Sequence, residues 1–230
     1  MRSYGQYCSV AKALDVIGDR WTLLVVRELL AQGPSRYTDL RRGLPGIATN
    51  LLAERLRDLE QAGIVAREDA PPPIATALFT LTPRGQQLRP VIDELGRWGI
   101  PLMAETTPKE EYRSHWLQLP VELYLADSPE KEQEPTTIEV RAGDQPMLIE
   151  AREGTITTRA GTSERPDATL SGPPQLVLGV LTGALDPDEA IEQGLAFDGN
   201  RQALVRLQQE RSGWPIGRSR EAPATERTPA

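Results

Sequence analysis

Asn50 and Arg57 lie within IATNLLAERLRDLEQAGIV, residues 47–65, at spacings that an α-helix would bring to one outward side, with Thr49 at the helix N-terminus. With Leu52, Leu56 and Leu59 as the buried direction, Asn50, Glu54, Arg57 and Gln61 project the other way at about 100° per residue. Asparagine can pair with adenine through two hydrogen bonds and arginine with guanine, so these residue types suit reading base edges in a DNA major groove. Arg36, Arg41, Arg42 and Arg67 flank them, and guanidinium groups there would hold phosphates, which positions a protein without specifying a sequence. Arg55 points sideways, and a salt bridge to Asp39 or Glu54 and a phosphate contact are both open to it.

Such residues need a frame. Upstream, Tyr37, Leu40 and Leu44 form a shorter apolar stripe that ends at Leu44-Pro45-Gly46, so two helices joined by a tight turn are expected, a helix-turn-helix. Ile64–Glu68 and Ala77–Leu81 can pair as a hairpin around Asp69-Ala70-Pro71-Pro72-Pro73, which would make a wing. Ahead of these, residues 8–18 read as a helix with Val10, Leu14 and Ile17 inward. Trp21–Leu30 reads as a buried helix, and Ser35 as a cap for the next one. Thr82-Pro83 opens a helix over about 84–103, with proline at the first position where its missing N–H has no partner. Leu88, Val91, Leu95, Trp98 and Leu102 alternate three and four apart along it, a narrow seam of the coiled-coil kind that suits a dimer contact.

The charge is divided. The chain has 230 residues and a net charge of −7, yet residues 1–104 hold 13 Lys/Arg against 11 Asp/Glu, and the remainder 13 against 22. A nucleic-acid face therefore belongs to the first part only. Residues 1–20 carry polar groups throughout, unlike a secretory leader, and no apolar run is long enough to span a bilayer, so a cytoplasmic protein with no membrane partner is expected. One cysteine excludes an internal disulfide and suits a reducing compartment.

Residues 104–135 are transitional. Trp116–Leu125 is apolar but interrupted by Pro120, so a kinked helix and an extended segment both stay open, and Asp127–Pro135 reads as an acidic loop. From Thr136 the period becomes two: Ile138–Val140, Met147–Ile149, Ile156–Thr158 and Ala168–Leu170 read as strands, with turns at Gly143-Asp144 and Glu153-Gly154. Pro173-Pro174 opens an apolar helix to Gly183, and Asp186 caps another with Pro187 at its first position. A strand at Leu195–Phe197 and a helix to about Gln208 follow; the tail from residue 212 is expected to be disordered. The helix over 174–183 is apolar on more than one face, which predicts a mainly apolar cavity with Trp116, Leu123, Val177 and Leu181 as lining residues.

Catalysis finds little support. Glu110, Glu111 and His115 lie close together, but beside Trp116 they read as a solvated face, and no nucleophile-plus-base set accompanies them. A single histidine leaves little for a metal site, and Gly154, Gly161 and Gly172 are too scattered for a phosphate loop. No enzyme activity, catalytic residue, cofactor or metal is expected.

Several motifs appear together in order: Cys8 through Trp21, Tyr37-x-x-Leu40, Leu44-Pro45-Gly46-Ile47, Leu52-x-x-x-Leu56-x-x-Leu59-x-x-x-Gly63-Ile64-Val65 and Phe79-x-Leu81-Thr82-x-x-Gly85. With them residues 1–103 resemble the HxlR-type winged-helix transcriptional regulators. The resemblance implies a homodimer joined through the helix at 84–103 and a pseudo-palindromic double-stranded DNA operator. It also implies a thiol-sensing role for Cys8, since some such regulators sense oxidants through an N-terminal cysteine. Ala48 departs from the serine usual there, and no basic residue stands at Thr49 or Asn50. Asp167-Ala-Thr-Leu-Ser-Gly172, Leu181-Thr-Gly-x-Leu-Asp-Pro-Asp-Glu-Ala190 and Gly194 with Asp198-Gly199 resemble the sterol-carrier-protein-like fold, implying an apolar small-molecule effector. The expectation is an α+β chain. A winged helix-turn-helix with its dimerisation helix fills 1–104, a sterol-carrier-like α+β domain fills 105–211, and a tail follows at 212–230. The alternative functions are a lipid carrier with a degenerate winged helix and a redox-sensing repressor acting through Cys8.

Overall fold

The computed structural model describes residues 3–69, 76–104, 110–125, 134–153 and 155–208. The expected wing loop, the acidic loop over 127–133 and the tail lie outside them. Helices α1 (Ser9–Ile17) and α2 (Thr22–Gln32) lead into strand β1 (Ser35–Arg36), α3 (Tyr37–Gly43) and α4 (Thr49–Gln61). Strands β2 (Val65–Asp69) and β3 (Ala77–Leu81) pair antiparallel with Val65 opposite Leu81, and β1 adds to the far side of β3. A short α5 (Pro83–Gln86) and α6 (Arg89–Gly99) follow, with a 3-10 turn over Ile100–Ala104. Val25, Val26 and Leu29 of α2 and Leu40 of α3 meet Leu52, Leu56 and Leu59 of α4 in a first core, closed below by Ile64, Val65, Phe79 and Leu81.

A 3-10 turn (Ser114–Leu117) and α7 (Gln118–Leu125) bridge to the second half. There β4 (Thr136–Arg141), β5 (Met147–Arg152), β6 (Thr155–Ala160), β7 (Ala168–Ser171) and β8 (Ala196–Gly199) form a sheet of order β6-β5-β4-β7-β8. Only the β4–β7 pair is parallel. Ile138 stands opposite Ile149 and Ala168, and Val140 opposite Met147 and Leu170, so these side chains share one face, while the buried Leu148, opposite Glu139, lies on the other. Helices α8 (Pro174–Leu181), α9 (Pro187–Glu192) and α10 (Arg201–Gln208) bury Val177, Val180, Leu181, Ala190, Ala203, Leu204 and Leu207 in the same core. The Asp186 carboxylate accepts the Asp188 N–H at 2.8 Å, the expected cap.

Three expectations need correction, and one open alternative is settled. Within α1 the buried residues are Ala11 and Ile17, while Val10 and Leu14 are exposed, because an apolar stripe does not say whether its own core covers it. Ser35 caps nothing: it pairs with Phe79 in β1, and its hydroxyl donates to the Gly33 carbonyl at 2.9 Å. The helix expected over 84–103 is broken between α5 and α6, since Pro90 has no N–H to give to the turn before it and its ring crowds that turn. Of the two alternatives open for 116–125 the helix forms, as α7 from Gln118 after the 3-10 turn, because Pro120 falls in the first turn of α7, where an N–H has no helical partner anyway.

Leu52 is completely buried where α4 meets the first core. Leu52→Ala is expected to cost about 2–5 kcal/mol by lost transfer energy plus an unfilled cavity, read as a fall in the urea midpoint.

Candidate nucleic-acid interface

The helix-turn-helix is held at both ends. The Tyr37 hydroxyl donates to the Thr49 carbonyl at 2.6 Å, tying the start of α3 to the start of α4. Between them the Ile47 N–H donates to the Leu44 carbonyl at 3.2 Å across the turn. Ala48 at the N-cap of α4 offers no side-chain acceptor, which leaves the first N–H groups of that helix free for a ligand or water.

The outward face carries Asn50, Glu54, Arg57 and Gln61, all exposed, with Thr49 exposed beside them. The Arg57 Nε donates to the Ala53 carbonyl one turn back at 3.2 Å, so its stem lies along the helix. Arg36, Arg41, Arg42 and Arg67 are exposed, and Arg42 stands 3.7 Å from Asp39 in a loose surface pair. Asp39 also accepts the Arg36 N–H at 3.3 Å, acting as a helix-start acceptor for α3. Among the described residues the side chains of Asn50, Arg41 and Arg67 have no partner within the chain.

Arg55 is a structural residue. It is buried and paired with Asp19, Glu54 and Asp58, the last at 3.3 Å, so of the two salt-bridge partners expected Glu54 is real and Asp39 is not.

The seam residues divide. Val91, Leu95, Trp98 and Leu102 are 43, 48, 71 and 63% exposed, whereas Leu88 is half-buried against the first core. Cys8 is exposed at the N-cap of α1, where the nearby backbone N–H groups of Ala11 and then Val10 hold its thiol below the ordinary value. The four residues expected to line one cavity are not brought together. Val177 and Leu181 are enclosed in the second core, Leu123 packs with Ile100 and Leu119, and Trp116 lies at the junction between the halves. A cleft does open at that junction, lined by Leu30, Ala31, Ile92, Trp116 and Leu119 with Arg27, Arg89 and His115 among its polar groups.

The junction corrects the reading of His115 as solvated. Its Nε2 lies 2.8 Å from Oε2 of Glu28, a side chain with no exposure at all. The same carboxylate accepts from Arg27 Nη2 at 2.6 Å, Gln32 Nε2 at 2.6 Å and Trp116 Nε1 at 2.8 Å. The Arg27 guanidinium also stacks on Trp116, 4.5 Å from the ring centre. Gly43 at the end of α3 makes room: a Cβ there would lie 1.8 Å from Glu28 Oε2. Sequence reasoning missed Glu28, although a lone acid inside Thr22–Leu30 at a buried helical position was the available signal.

Burial alone would raise the Glu28 carboxyl, but the hydrogen bond from His115 and the charge of Arg27 outweigh it and hold the group below its ordinary 4.5. A depressed native pKa contributes stability that is present above the unfolded value and lost as pH falls through the folded one. Glu28→Gln should therefore cost about 3–5 kcal/mol near neutrality, with the gap from wild type closing below about pH 4.5 in paired urea titrations.

The model of the HxlR-like helix-turn-helix family matches residues 16–107, and that of the SCP-2 sterol transfer family residues 130–209. The HTH-type transcriptional regulator YodB of Bacillus subtilis is 36% identical over 86 residues, covering 37% of this chain and 76% of that protein. The uncharacterized HTH-type transcriptional regulator YvaP of Bacillus subtilis is 34% identical over 87 residues, 38% of this chain and 80% of that one. The solved reduced form of YodB is 31% identical, covers 46% of this chain and 100% of that chain, and superposes with a TM-score of 0.37. With a helix-turn-helix in place and these sequence relatives, the chain belongs to the HxlR-like helix-turn-helix family, carrying a C-terminal region similar to the SCP-2 sterol transfer family.

Proposed function

We propose that this DNA-binding transcriptional regulator lays α4 in the major groove of a pseudo-palindromic operator, one helix from each protomer of a homodimer. The observation that carries this reading is the outward face of α4, where Asn50 and Arg57 stand exposed beside a rim of arginines. Thr49, Asn50 and Arg57 read base edges; Arg36, Arg41, Arg42 and Arg67 grip phosphates and set the register. The absent cap at Ala48 increases the share of affinity that the rim must supply. Val91, Leu95, Trp98 and Leu102 form the protomer contact, and Tyr7, Val10 and Leu14 near the chain start are further exposed apolar residues. An uncovered apolar surface of this extent is costly in water, which favours a second copy as its cover. No catalytic role is assigned to either half. Among the described residues no helix is long and apolar enough to cross a membrane.

Effector control takes an apolar small molecule. The junction cleft suits it better than the second core, because its apolar floor opens outward while Val177 and Leu181 already have neighbours on every side. Cys8 supports a second reading, control by oxidation, on the strength of its exposure and its lowered thiol pKa. With one cysteine per chain, oxidation would link two protomers or attach a small thiol. Diamide treatment should then reduce operator affinity in wild type and leave Cys8→Ser unchanged; equal affinity for treated and untreated wild type removes the reading.

Selection from random duplexes is expected to enrich a two-fold-symmetric site. Asn50→Ala or Arg57→Ala should cost about 1–3 kcal/mol and relax preference at one base pair per half-site, while Arg42→Ala weakens all sequences alike and flattens the salt dependence. No enrichment above background refutes the proposal. In sedimentation, Leu95→Glu with Trp98→Glu should shift the protein toward monomer and lose tight binding together; a double variant that stays dimeric places the interface elsewhere.

A further inference from the structure

Residues 112–116 grip both halves of the chain with adjacent side chains. Ser114 faces the second half: its hydroxyl donates to the Ala142 carbonyl at 2.6 Å and accepts the Gln145 N–H at 3.0 Å. Its own N–H donates to Asp144 Oδ1 at 3.0 Å. The β4–β5 turn lies flush against this segment. Gly143 at that turn has φ +84°, and a Cβ there would come within 2.8 Å of Ser114 Oγ and 2.9 Å of the Tyr112 ring.

The neighbouring residues face the first half. His115 and Trp116 reach Glu28 of α2, as described above, and Arg113 Nε donates to the Arg42 carbonyl at 3.2 Å. Arg27 Nη2 reaches the adjoining Gly43 carbonyl at 3.4 Å. Arg42 and Gly43 lie in the last turn of α3, whose carbonyls have no partner inside the helix and attract cations. Two guanidinium groups and a carboxylate packed on Arg42 and Gly43 therefore settle where α3 ends. The turn over 44–48 carries that position directly into the first turn of α4.

We propose that residues 112–116 are a two-sided clamp by which the C-terminal half sets the helix-turn-helix in its DNA-reading geometry, with Glu28 and His115 as positioning residues. The clamp rests on the reading of α4 as the helix that meets DNA. It touches no outward residue of α4, so it governs affinity and leaves base preference alone. It also supplies a route inward: a molecule in the junction cleft would lie against His115 and Trp116 of the clamp and against Arg27, which reaches the Gly43 carbonyl.

The test measures affinity of the full-length protein for its selected duplex by fluorescence anisotropy, with a thermal melt for each variant. His115→Leu and Gly143→Ala should each weaken binding about tenfold, a usual size for coupling between sites, with base preference and salt slope as in wild type. His115→Gln, which keeps an N–H for Glu28, should restore most of the loss. Gly143→Ala is informative because it lies on the far side of the clamp, away from α2 and α3. Wild-type affinity in folded His115→Leu and Gly143→Ala, beside weakened binding by Asn50→Ala, overturns the clamp alone. Wild-type affinity in Asn50→Ala overturns the reading of α4 and the clamp with it. Should the buried-site variants lose their fold, Arg113→Ala decides: an unchanged melt with weakened binding supports the clamp, and unchanged binding refutes it.

Discussion

A carboxylate shut away from water demands a donor for each of its lone pairs, and Glu28 is answered from three directions. Arg27 and Gln32 come from its own helix, and His115 and Trp116 from a segment more than eighty residues later, while α3 contributes a glycine that lets the group fit. Charge-assisted bonds of this kind are about twice as strong as neutral ones, and leaving any of them unmade would strand a buried charge. Three elements that could otherwise slide past one another therefore share one position. The first core explains why α2, α3 and α4 pack; Glu28 explains why the end of α3 and the second half of the chain keep a common register.

The distribution of charge follows the same division. The first 104 residues are close to balanced, with 13 basic side chains against 11 acidic, while the rest are strongly acidic. Arg113, His115 and Trp116 attach this acidic part to α2 and to the C-terminal end of α3, while Asn50 and Arg57 stand exposed on α4. Arg27, Arg55 and Arg113 are spent on internal carboxylates and carbonyls, which separates them from Arg36, Arg41, Arg42 and Arg67 at the rim.

Much of the architecture was legible in the residue order. Periodicity is a local property, and the 3.6-residue stripe of α4 or the alternation of Ile138–Val140 announces an element before any partner is known. Turn chemistry is local too, which is why Asp186-Pro187 and the Leu44-Pro45-Gly46 stop stand where they were read. The outward placement of Asn50 and Arg57 follows from the same periodicity, since Leu52, Leu56 and Leu59 leave only one face of α4 for them.

Tertiary structure decided whatever depends on a distant partner. A stripe such as Val10 and Leu14 is apolar whether its own core or another surface covers it, so its exposure is visible only once the core is closed. Ser35 carries the residue type of a cap, yet β3 takes its backbone into a sheet, because a strand of two residues has no periodicity of its own. Arg55 finds Asp19, 36 residues away, and His115 finds Glu28 at a separation of 87. Ionic and hydrogen-bonding side chains reach their partners through space rather than along the chain. The sequence by itself therefore determined the elements and the outward face of α4, and only the fold decided which charges face the solvent and which hold the two halves together.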